Sequence, residues 1–352
     1  TYAAMRLSLK EECLVRLQAK GGRVWTAWFI ILGGGAALFL VMAYSVTKGA
    51  ANIPLSTAWE ALFCFDSGNS DHIIIHDLRA PRVLASALVG AAFAVSGAIM
   101  QGITRNPMAD SGLMGLNAGA GFALSICFAF FPGMGYRALI ICSFLGAALS
   151  TTLVNGVASL RRGGATPMRL VLAGAAVSAL LSALSQGVAL TFNVSQDIMF
   201  WTAGGVAASD WTQVRIMLPW IMGALVGAVL LSRPISLLNL GEDVAQGLGV
   251  HTGIVRGLCS ILVLILAGTS VSVVGTVSFV GLVIPHLSRF LVGADYRWII
   301  PSSAVLGALM FVLADLGARM IRPPFETPIG ALISLVGVPF FLYLARKQRR
   351  AL

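Results

Sequence analysis

Few residues in the 352-residue chain are spaced for chemistry. His72 and His76 stand four apart, which on a helix would put two imidazoles on one face as a metal pair. With no cysteine or carboxylate in register to complete a set, they read as solvated loop residues. His251 and His286 form no HExxH pair. Asp315 is the main acid inside an apolar run, and Arg319 four residues on makes an i,i+4 ion pair near a helix end the simplest account. Cys13, Cys64, Cys127, Cys142 and Cys259 are odd in number and lack CxxC spacing, so they outline neither a disulfide framework nor a zinc site. There is no GxxxxGK[ST] and no Gly-Lys dipeptide, which removes a P-loop. No Ser-His-Asp or paired-carboxylate arrangement stands out. The expectation is a chain with no catalytic site, metal or cofactor of its own. Its apolar runs hold almost no Asp, Glu or Lys, the groups that ion-coupled carriers keep at mid-membrane, so energy would come from outside it.

The elements that must position these residues are apolar. Hydrophobic residues make up 57% of the chain and charged ones 11%, against about 25% in a soluble domain. Mean hydropathy is +0.88. That composition excludes a cytosolic enzyme, a secreted disulfide scaffold and a disordered chain. The net charge of +10 lies in singles and short groups between apolar blocks, which is the pattern of membrane loops rather than a nucleic-acid footprint.

A ruler of about 20 apolar residues per span predicts ten helices, near 28–47, 83–102, 113–131, 138–160, 168–192, 216–232, 254–274, 277–292, 299–318 and 328–345. The expected fold is therefore an all-α polytopic membrane protein. It has a polar arm at 1–27, one transmembrane domain at 28–345 and a basic tail at 346–352. The first apolar run reads as a retained span rather than a cleaved leader. With the N-terminus inside, 17 of the 24 Lys and Arg fall on the inner side and 7 on the outer, so both termini are expected in the cytoplasm. The segments 48–79 and 193–215 would lie outside, the first around one short interfacial helix. A weak repeat pairs Gly97 and Pro107 of the second span with Gly275 and Pro285 after the seventh, at equal spacing. Interrupted helices in inverted halves point to a translocation pathway.

One group of segments resembles a known family. Arg79-Ala80-Pro81-Arg82-Val83-Leu84 leads into Gly90–Gly102 and then Thr104-Arg105-Asn106-Pro107-Met108-Ala109-Asp110-Ser111-Gly112-Leu113-Met114-Gly115. Later come Leu240-Gly241-Glu242-Asp243-Val244-Ala245 through Leu248-Gly249-Val250, Phe279–Arg289, Leu313–Arg319, and Pro328-Ile329-Gly330 followed by Gly337-Val338-Pro339. Together these resemble the FecCD-type permeases, the membrane subunits of ABC importers for iron siderophores, haem and cobalamin. Ala80, where a larger apolar residue is usual, is the one departure.

The resemblance implies a type II ABC importer permease of ten helices in inverted halves, in a bacterial cytoplasmic membrane. It implies that Arg79, Arg82 and Arg319 dock an extracytoplasmic substrate-binding protein; from position alone they would snorkel to headgroups. It makes the loop at 232–250, with Leu240, Gly241, Glu242, Asp243 and Leu248, the two-helix coupling element for a cytoplasmic ATPase. It puts a gate at Thr166, Pro167 and Met168, while Asn106 and Pro107 are pathway residues or only a helix end. The implied partners are a second permease and two ABC ATPase subunits that hold ATP and Mg, none of it on this chain. The implied cargo is a ferric siderophore, of the hydroxamate type; haem or cobalamin is an alternative, and a self-sufficient secondary transporter is another.

Overall fold

A computed structural model describes residues 2–49, 52–160, 167–321 and 325–349. Arg161, Arg162, Arg322 and Arg350, four of the 24 Lys and Arg counted for topology, lie outside the described residues. Among those described there are helices and no strands, as hydrocarbon demands: a backbone in lipid must satisfy its own N–H and C=O groups. Among the described residues seven helices are long and apolar enough to cross a bilayer, and three shorter apolar ones, Leu116–Phe130, Val280–Val292 and Ile329–Tyr343, occupy the places of the remaining three of the ten expected.

In chain order the helices are α1 (Tyr2–Thr47), α2 (Leu55–Phe63), α3 (Ser70–Ile73), α4 (Ala80–Thr104), α5 (Leu116–Phe130), α6 (Tyr136–Ser159) and α7 (Pro167–Thr191). There follow α8 (Ser195–Ala203), α9 (Trp211–Leu230), α10 (Ser232–Leu240), α11 (Glu242–Gly247), α12 (Thr252–Val263), α13 (Thr269–Val274), α14 (Val280–Val292), α15 (Tyr296–Ile321) and α16 (Ile329–Arg349). A π-helical stretch at Ile74–Arg79 joins α3 to α4, and another at Leu264–Gly268 joins α12 to α13. The segment at 48–79 thus holds the short helix expected, α2, but its last ten residues are helical and continuous with the second span. His72 is correspondingly not a solvated loop residue: it is buried, and its Nδ1 accepts the Asp66 N–H at 3.1 Å.

The core is built around α4. Of its apolar window 83% is buried inside the chain, against 11% for α1, so α4 is wrapped by protein and α1 by surroundings outside this chain. Small residues make this possible by letting backbones approach. A Cβ on Gly97 would fall on the backbone of Gly281 in α14, and one on Gly90 would fall on Gly307 of α15.

A long helix, a break, a short helix and a long helix occur twice: α4, 105–115, α5, α6, then α12–α13, 275–279, α14, α15. Each break is bounded by left-handed residues, Arg105 (φ 53°) and Gly115 (72°) in the first, Gly275 (80°) and Phe279 (71°) in the second. The repeat is therefore one of element order, and the residue pairing read from spacing is out of register. Gly97 is mid-helix and there for a close crossing, whereas Gly275 ends a helix; Pro107 lies in a break, whereas Pro285 lies inside α14.

Candidate functional site

Two polar clusters occupy opposite ends of α4, about 37 Å apart at 1.5 Å per residue over its 25 residues. The first holds Arg79, Arg82 and Arg319. All three are buried, at 7%, 7% and 8% exposure. Arg82 gives Nε to Asp315 Oδ1 at 2.8 Å and also pairs with Glu326. Arg319 lies 3.0 Å from the other Asp315 oxygen, so the i,i+4 pair is present, with a second arginine added from α4. Arg79 and Arg319 cap α1. A helix leaves its last four carbonyls without internal partners. Here Thr47 Oγ1 donates to Tyr44 O at 2.8 Å, Arg319 to Ser45 O at 3.2 Å, Arg79 to Val46 O at 3.0 Å, and Ile53 N to Thr47 O at 3.1 Å. The three arginines are thus engaged inside the chain in this conformation. The exposed acid of the cluster is Glu326, whose side chain is 45% exposed.

The second cluster surrounds the loop at 232–250, which folds as the short helices α10 and α11 joined at Gly241. Its inner side is fastened to three spans. Ile235 and Leu238 are buried in the main core, with Ile235 over Gly102 of α4. Ser236 Oγ accepts the Tyr296 N–H at 2.9 Å, which starts α15, and lies 3.3 Å from Asp295 Oδ1. Glu242 pairs with Arg256 of α12 at 3.0 Å and accepts from Thr252 Oγ1 at 3.2 Å. The outer side is open: Leu240, Val244 and Leu248 are 67%, 48% and 62% exposed beside exposed Asp243. Of the acidic pair singled out in the sequence, one residue faces inward and one outward.

Asp295 lies outside the spans. Burial alone would raise its carboxyl, but the hydrogen bonds from Arg297, with Ser236, outweigh that and hold it below the ordinary carboxylate value. Next to this joint, Arg289 reaches Gln101 Oε1 at 3.0 Å and the Tyr296 hydroxyl at 3.1 Å, while Gln101 Nε2 donates to Gly281 O and Leu282 O at 3.3 Å each. From the sequence, Arg256 and Arg289 are two of the 17 inner-side charges, and neither Gln101 nor Tyr296 carries an assigned role. The available signal was Gln101, an amide in an otherwise apolar run.

Asn106 and Pro107 form the turn after α4: Asn106 Oδ1 accepts the Met108 N–H at 2.9 Å, and its carbonyl accepts Ala109 N–H at 3.1 Å. Asp110, in the same break, reaches Gly281 of α14, so the break after α4 touches the helix that follows the other one. Pro167 opens α7, and Met168 beside it is 68% exposed. Thr166 lies outside the described residues. No group of three or more His, Cys, Asp and Glu able to hold a metal is found among the described residues.

The FecCD transport family model matches residues 36–347. The chain is 51% identical, over 94% of its length and 86% of that protein, to the iron(3+)-hydroxamate import system permease protein FhuB of Bacillus subtilis. It is 34% identical to the hemin transport system permease protein HmuU of Yersinia pestis, over 91% of this chain and 96% of that one. Among solved structures, a metal-chelate type ABC transporter in an inward-facing conformation superposes with a TM-score of 0.79 at 29% identity, over 90% of this chain and 99% of that one. The chain is an integral membrane protein and belongs to the FecCD transport family.

Proposed function

We propose that the chain is the permease subunit of an ABC importer for a ferric siderophore of the hydroxamate type. It pairs with a second permease, is driven by ATP hydrolysis on two cytoplasmic ATPase subunits, and receives cargo from an extracytoplasmic binding protein. The observation that carries this reading is the α10–α11 pair. Its exposed Leu240, Val244 and Leu248 form an apolar surface beyond the spans, while its inner side is bonded to α4, α12 and α15. A partner pressing on that surface moves three spans at once. In this reading α10 and α11 face the cytoplasm, both termini lie on the same side, and ATP and Mg stay on the partner. The cargo is supported by the 51% identity to a relative named for iron(3+)-hydroxamate import, against 34% for the hemin relative. The docking site lies at the other end of α4, where an incoming carboxylate would compete with Glu326 for Arg82.

The test is Leu240→Asp combined with Leu248→Asp. Both side chains are exposed, so the chain is expected to fold and stay monodisperse, while the ATPase subunits no longer co-purify and cargo uptake drops to background. Normal co-purification and uptake would remove this surface from the mechanism.

A further inference from the structure

On the flank of the bundle, α1, α4, α9 and α15 enclose a groove of about 690 Å³. Its walls are mostly apolar, with Leu38, Leu84, Leu88, Leu218 and Leu225 among them, and its polar lining among the described residues is His76, Trp211 and Arg215. These three lie together. Trp211 Nε1 donates to the His76 carbonyl at 2.7 Å, the two rings are 5.7 Å apart, and Arg215 is one turn further along α9. From Arg215 the groove continues along α9 to Leu225, ten residues or about 15 Å. That is half of a hydrocarbon core of about 30 Å, the depth of a single leaflet.

Arg215 is exposed inside a helix apolar enough to span, and among the described residues it has no carboxylate within ion-pairing distance. Asp77, next along from His76, is engaged by the His76 ring at 2.6 Å. Arg215 is therefore the uncompensated charge at the groove mouth. A cation facing hydrocarbon is costly unless it reaches an anion, and the anion that comes attached to an acyl chain is a lipid phosphate.

We propose that this groove is a binding site for one anionic phospholipid, with an acyl chain along the α4–α9 wall and the headgroup phosphate on Arg215. In the orientation proposed above the lipid comes from the outer leaflet, but the site itself does not depend on that orientation. The full chain, purified in detergent, is titrated with phosphatidylglycerol or phosphatidylcholine, and retained lipid is counted by native mass spectrometry. Wild type is expected to retain one phosphatidylglycerol in preference to phosphatidylcholine. Arg215→Gln should lower that preference on the order of fivefold, the worth of one basic residue at an anionic surface, and Arg215→Lys should keep most of it. Because Arg215 is exposed, neither change should disturb folding, which the thermal midpoint checks. Equal retention of the two lipids, or an unchanged preference in Arg215→Gln, would overturn the proposal. So would efficient cross-linking of Arg215→Cys in membranes to another protein chain, since the groove would then be an interface.

Discussion

Asp315 carries two guanidiniums at once, from Arg82 on α4 and Arg319 on its own helix, and is itself fully buried. Removing one member of a buried charge cluster costs far more than the cluster contributes net, because the remaining charges are left without compensation. Asp315→Asn is therefore predicted to cost about 3–5 kcal/mol, read as a loss in thermal unfolding of the purified chain. Glu326→Gln, whose side chain is 45% exposed, should cost about 1 kcal/mol or less and, in the proposed docking, should tighten binding-protein capture by removing the acid that competes for Arg82, which stays on Asp315. The Asp315–Arg319 spacing was legible in the sequence as a single helical turn. The approach of Arg82 and the use of Arg79 and Arg319 to finish α1 were not, since they join residues far apart in the chain and follow from packing that no local pattern records.

At the scale of elements, the joint between α10 and α15 has a pH dependence with a definite sign. Asp295 has a depressed carboxyl in the folded chain, so its contribution is fully present above the unfolded value of about 3.9 and is lost as pH falls through the lower folded value. Asp295→Asn should remove that acid-side slope and loosen α10, seen as faster hydrogen exchange around Ser236. An unchanged acid limb would show that the joint holds without the carboxylate. That the 232–250 segment is two short helices was legible only through the family resemblance. That Glu242 turns inward to Arg256 was not, because an acidic pair in sequence says nothing of which member finds a cation. The breaks at 105–115 and 275–279 were signalled by Gly and Pro, but equal spacing misaligned them: the two glycines serve different ends, a helix crossing in one half and a left-handed terminus in the other.

For the whole molecule, the ten apolar blocks were legible in the sequence, and among the described residues seven of them form helices of bilayer length and three form shorter apolar helices. Burial was not legible in the same way. The apolar part of α1, Val24–Thr47, and α4 both read as spans, yet one lies on the outside of the bundle and the other at its centre, where Gly90 and Gly97 let Gly307 and Gly281 approach closely. The resulting architecture puts a buried central helix between a charged cluster at one end and a loop bonded to three spans at the other. The same helix contacts elements at both ends, which suits a body that converts force applied to α10–α11 into movement of the spans. The most direct measurement of that claim is uptake of a ferric hydroxamate siderophore into proteoliposomes that hold the chain with the proposed permease, ATPase and binding-protein partners. Uptake is predicted to require ATP and the ATPase subunits and to persist when an uncoupler abolishes the proton gradient. Uptake that continues without the ATPase subunits and collapses with the proton gradient would contradict it.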